Sequence, residues 1–159
     1  MKKAILFSIL FFLFQSNQVF GQELFDTLLL KKWEGTGTLM GSEATFKMNW
    51  KKTLGDNFIF LKFKNERKNK NGETFYFKAH AYYKVKQGGF IEGMWFDSRG
   101  IYFPLTGTLT KTKLLINWGT PKTEQGRTVY TITENNEIEV IDFILKNNEY
   151  LRFGNAVYK

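Results

Sequence analysis

The residues of this chain best suited by type to do chemistry are two carboxylates set in apolar sequence. Glu92 lies in Phe90-Ile91-Glu92-Gly93-Met94-Trp95-Phe96, where alternation groups it with Phe90, Met94 and Phe96; Asp142 alternates with Ile138, Val140 and Ile144. A carboxylate on an apolar face must be paired or neutral, because burying it alone costs several kcal/mol. Arg127 and Arg152 are the available partners. An acid and arginine cluster inside an aromatic cavity would orient the polar end of an otherwise apolar ligand, or supply an acid or base to an enzyme. If the strand faces run the other way, both carboxylates are plain rim or outer-surface residues.

Aromatic residues form the second constellation. Of the four tryptophans, Trp33, Trp50 and Trp118 fall on apolar alternation faces, where large flat rings line a cavity or simply fill a core. Other chemistry has little to stand on. The chain has one histidine and no cysteine, so it lacks the clustered ligands of a zinc site, and no D-x-D-x-D-G run offers a calcium loop. His80 sits between Lys78 and Lys84 on an outward alternation face, far from any serine–histidine–acid arrangement. Gly35-x-Gly37 lies within a strand and has no helix after it to present its N-terminus to a phosphate. Lys62, Lys64, Arg67, Lys68 and Lys70 interleave with Phe60, Phe63 and Phe75 in a pattern that single-stranded nucleic acid could use, but a charge run at a hairpin tip reads first as a solvated loop, so no nucleic-acid partner is expected.

The elements that must position these residues begin after a leader. Lys2 and Lys3 precede an apolar run from Ala4 to Phe14, broken only by Ser8, and polar residues then lead to Gly21. This order predicts a signal peptide over residues 1–21 with cleavage before Gln22, because the run falls short of the ~20 apolar residues that span a bilayer. The protein is therefore expected to be secreted or periplasmic. Its formal charge is +8, or +6 without Lys2 and Lys3, which favours weak attraction to anionic surfaces. A cysteine-free exported domain must hold together by packing alone, and 17 Phe, 7 Tyr and 4 Trp supply the apolar area.

Leu24, Phe25, Leu28 and Leu29 recur at helical spacing, which predicts a short helix within Glu23 to Lys32 lying across one end of the fold. From Trp33 onward the period is two. Nine turn signals rich in Asn and Gly, from Gly41-Ser42 to Asn147-Asn148, separate ten strands. Phe46, Met48 and Trp50 face one way and Lys47, Asn49 and Lys51 the other; Phe75, Phe77, Ala79, Ala81, Tyr83 and Val85 share a face of the long strand that follows Thr74. Small Ala79 and Ala81 leave either an unfilled middle or room for a bulky neighbour. Phe58 to Phe63 is apolar on both faces, and Pro104 marks an edge or bulge. No crossover helix separates any two strands, so the pairing is antiparallel and up-and-down. The fold class is all-β: a ten-strand antiparallel up-and-down (calycin-like) β-barrel with a short N-terminal helix, one domain over residues 22–159. Closure removes both sheet edges, and a β-sandwich is the alternative.

Trp33, Gly35 and Gly37, following a leucine-rich helical segment, resemble the opening strand of nitrobindin-like and related lipocalin-like (calycin) barrels. The resemblance extends as a strand-and-turn pattern over Leu24 to Tyr158. It implies a ten-strand barrel with an interior pocket and, in nitrobindins proper, a haem held by a histidine near the end of the barrel. Residues 137–159 contain no histidine, so no cofactor is expected. The candidate cavity residues are Trp33, Trp50, Tyr83, Glu92, Trp118, Asp142 and Arg152, the partner a small apolar ligand, and the expected function binding without catalysis. An enzyme using the same cavity, or a structural barrel filled by its own side chains, are the other two readings.

Overall fold

The computed structural model describes residues 22–68 and 71–159. The signal segment expected over residues 1–21, and Lys70 of the basic hairpin, lie outside them. Helix α1 (Gln22–Leu29) precedes strands β1 (Lys32–Leu39), β2 (Ser42–Thr53), β3 (Phe58–Lys68), β4 (Thr74–Val85) and β5 (Phe90–Asp97). After these come β6 (Tyr102–Leu109), β7 (Lys113–Gly119), β8 (Gln125–Ile132), β9 (Ile138–Lys146) and β10 (Glu149–Tyr158). Each strand pairs with the next, and β10 returns to β1 to close the barrel. The turns work as their residues dictate: Asn147 and Asn148, at φ 52° and 64°, supply the two left-handed positions that a two-residue hairpin needs.

Closure depends on β1. Gly35 faces Phe46 of β2 on one side and Tyr158 of β10 on the other. A Cβ on Gly35 would stand 2.8 Å from both the Tyr158 ring and the Val157 carbonyl oxygen, and one on Gly37 would overlap the Asn155 carbonyl. The glycines therefore let β10 approach, and Gly35 makes room for the Tyr158 ring. Pro104 sits opposite Met94 of β5, one residue before the pairing of β6 with β7 begins at Leu105. Its missing N–H falls where one ladder has already ended, a local edge within a closed sheet.

Inside, the two ends of the barrel are filled differently. At the α1 end Leu24, Phe25 and Leu28, on one side of the helix, are buried against the strands. Phe25 meets Trp50 with ring centroids 5.9 Å apart, and the Trp33 indole Nε1–H donates to the Leu28 carbonyl at 3.1 Å, joining the helix C-terminus to β1. Ile59 and Leu61 point into this plug while Phe60 lies outside against His80 and Tyr82, which resolves the strand that read as apolar on both faces.

Candidate functional site

Above the plug the barrel is hollow. A cavity of about 410 Å³, lined by no residue of α1, reaches from the middle of the barrel to its other end. Met48, Tyr83, Tyr130 and Tyr158 form its floor with Asp142. The walls are aromatic, from Phe46, Phe63, Phe77, Trp95, Phe103 and Trp118, and the rim carries Arg67, Arg99, Glu124 and Lys146.

Asp142 is held at the floor by β9, whose alternation turns Val140, Asp142 and Ile144 inward as the sequence indicated. Its partner is not an arginine. Thr128, directly opposite on β8, donates its hydroxyl to Asp142 Oδ1 at 2.7 Å. Burial pushes the Asp142 carboxyl up to about 6, and the Thr128 bond offsets this only in part. The Tyr83, Tyr130 and Tyr158 hydroxyls are pushed up as well, first by burial and further by the Asp142 charge. They remain neutral at physiological pH. The floor is thus one carboxyl of tunable charge among three phenols and a hydroxyl, facing otherwise apolar walls.

At the mouth, Arg99 is locked in place. Its Nε and NH2 groups bond the two Asp97 oxygens at 3.1 and 2.8 Å, and NH1 reaches Glu124 at 3.0 Å, so the β5–β6 turn is tied to the segment before β8. The guanidinium also lies 5.8 Å from the Phe77 ring centre and 6.0 Å from that of Phe103. Asp97 has no exposed side-chain surface. Burial alone would raise its carboxyl, but the Arg99 bonds and the Trp95 Nε1–H, 3.2 Å away, outweigh it and hold the group below the usual carboxylate range.

Of the residues expected in the cavity, Tyr83, Trp118 and Asp142 line it and four others do not. Trp33 and Trp50 point inward but lie within the plug, where Trp50 packs on Tyr83 at 5.4 Å and its buried Nε1 finds no acceptor among the described residues. Glu92 is exposed and pairs with Lys86 at 2.9 Å. The inward face of β5 is Ile91, Gly93, Trp95 and Asp97, one residue out of step with the expected face, and such a slip exchanges every side chain between core and solvent. Arg152 is exposed because a bulge between Arg152 and Gly154 inserts an extra residue: Phe153 takes a place in the cavity and Arg152 turns away. Arg127 also faces out, bonding Asn117 at 2.9 Å and lying 4.2 Å over the Tyr150 ring.

Sequence reasoning missed Trp95, Asn65, Arg67 and the Asp97–Arg99 pair. Arg67 belongs by sequence to the basic run at the hairpin, yet β3 alternates Phe63, Asn65 and Arg67 inward and leaves Lys62, Lys64 and Lys68 outside. The Trp95-x-Asp97 spacing was the available signal for β5. Ala79 and Ala81 prove to lie beneath bulky neighbours: Phe63 on β3 and Trp95 on β5 meet across them with centroids 6.0 Å apart. His80, the sole histidine, packs outside against Phe60 with ring centroids 5.1 Å apart, so the cavity offers no imidazole of the kind that the resemblance implies for a haem iron. Among the described residues no cluster of three or more His, Cys, Asp or Glu side chains is arranged for a metal ion.

The geometry defines a class: a closed ten-stranded antiparallel barrel, plugged by a helix at one end and holding an aromatic cavity with a buried carboxyl at the other. A scan against protein-family models and a search of curated proteins both find no match for this chain.

Proposed function

We propose that this is an exported, non-enzymatic carrier that holds a small, largely apolar molecule in the open half of its barrel. The observation that carries the reading is the cavity itself: about 410 Å³, within the usual range for ligand sites, walled by aromatic rings, with its polar groups gathered mainly at the floor and the rim. Asp142 gives it a direction. A ligand whose inner end bears a hydroxyl or amine satisfies the carboxyl, whereas a wholly apolar one leaves it facing hydrocarbon. The resemblance to nitrobindin-like barrels points to the same class of interior pocket, and the leader over residues 1–21 to work outside the cytoplasm.

Native mass spectrometry and absorption spectroscopy of protein purified from its own compartment test this. A discrete non-covalent added mass, lost or weakened in Asp142→Asn, is the expected result. A bare protein that also fails to take up apolar probes contradicts the reading, and a Soret band would replace it with haem carriage. A second reading is favoured by the same residue: a carboxyl titrating near 6 is suited to general acid–base catalysis, so turnover of a captured ligand, abolished by Asp142→Asn, would make the protein an enzyme.

A further inference from the structure

We infer that the ligand is an anionic amphiphile, its acidic head held at the cavity mouth by Arg67 and Lys146 and carrying beside that head a hydrogen-bond donor for Asn65. The inference rests on the carrier reading above and adds the chemical class and the orientation.

Three cationic side chains line the rim, and one is already neutralised: Arg99 is bonded to both Asp97 and Glu124. Arg67 and Lys146 line the same rim with no carboxylate in ion-pair contact among the described residues. Arg67 lies 5.5 Å from the Phe75 ring centre, a contact that steadies a guanidinium without cancelling its charge. An acidic head supplies the missing counter-charge, and a cationic one would meet two like charges.

Asn65 is the independent observation. It sits two residues below Arg67 on the inward face of β3, lines the cavity, is only 7% exposed, and its Oδ1 has no donor among the described residues. A buried acceptor without a donor is costly, and a donor next to the acidic head, such as the amide N–H of an acylated amino acid, would satisfy it. Asp142 fixes the direction, because an acidic head sent to the floor would face another carboxyl. Along β9, Asp142 and Lys146 are four residues apart, roughly 13 Å at the rise of a strand, so an extended chain can bridge floor and mouth.

Calorimetric titration with decanoate, decan-1-ol and N-decanoylglycine tests the class. Decanoate is expected to bind about tenfold more tightly than decanol, since only the acid makes charge-assisted contacts with both rim cations, against the single bond a decanol hydroxyl can make to Asp142 at the floor. Arg67→Ala and Lys146→Ala should each remove most of that preference. N-decanoylglycine should bind more tightly than decanoate, with the gain absent in Asn65→Leu. Where that variant does not fold, failure of N-decanoylglycine to exceed decanoate in the unaltered protein overturns the donor. Equal binding of decanol and decanoate, or a preference untouched by both rim substitutions, overturns the anionic head and leaves the carrier reading standing. Uptake of none of the three ends both.

Discussion

The two halves of the barrel are built from the same ten strands and the same aromatic residue types, yet they use them in opposite ways. At the α1 end Trp33 and Trp50 are covered by Leu24, Phe25 and Leu28, and the contacts close on themselves. At the far end Trp95 and Trp118 face empty volume, and polar groups that folding does not require are held among them. Burial stabilises the first half; the second holds Asp142 half-buried in a largely apolar cavity and leaves Asn65 Oδ1 without a donor among the described residues, both of which oppose folding. Under the proposed carrier reading, the hollow half is the one that holds ligand.

Substitutions should separate the two halves, beginning in the plug. Trp33→Ala removes one of the two indoles there and its bond to α1, and should cost about 3–5 kcal/mol in denaturant unfolding. At the cavity floor the sign reverses. The Asp142 carboxyl titrates near 6 in the folded protein against 3.8 ordinarily, so the folded state holds its proton more tightly. Stability from this group is therefore complete below about pH 4 and is lost as pH rises through 6. Asp142→Asn should then match the parent near pH 4 and exceed it by about 2–3 kcal/mol at pH 7. The groups facing it, Thr128 and the Tyr83, Tyr130 and Tyr158 phenols, do not change charge in this window. A stability gap independent of pH would show that Asp142 is not buried from solvent.

Smaller effects are expected at the mouth and on the outer wall. Arg99→Ala frees the β5–β6 turn from Glu124 and leaves the covered Asp97 carboxylate with only the Trp95 Nε1–H and a backbone N–H as donors, so the cost should be about 1–3 kcal/mol. Its clearer signature should be faster ligand release, measured by stopped-flow displacement. Glu92→Gln breaks only a surface pair with Lys86 and should stay within about 0.5 kcal/mol in denaturant unfolding. A larger effect would put Glu92 back among the residues that matter inside.

The strand count, the closure and the capping helix were legible because each rests on local chemistry: period-two alternation, Asn and Gly at positive φ, and a leucine face too short to be anything but a lid. Asp142 was legible for the same reason, since β9 runs without a bulge from Ile138 to Asp142. Two kinds of information were not local. On β5 both faces are apolar, Phe90, Met94 and Phe96 outside and Ile91 and Trp95 inside, so only pairing with β4 decides which is which. On β10 the bulge after Arg152 shifts the face of everything before it, and no residue there announces the bulge. The tryptophans show a third limit. Alternation turned Trp33 and Trp50 inward correctly, but whether inward meant plug or cavity depends on height along the barrel, which the nearness of Trp33 to the helix could have indicated.

Those four indoles provide the most direct measurement. Each Nε1–H gives its own signal in a nitrogen-15 correlation spectrum, assigned through single Trp→Phe variants, and the spectrum is followed while decanoate is added. Trp95 and Trp118 should shift with ligand while Trp33 and Trp50 stay where they are. Shifts confined to Trp33 and Trp50, or four signals that never move while decanoate binds, would contradict a barrel plugged at the helix and loaded at the opposite end.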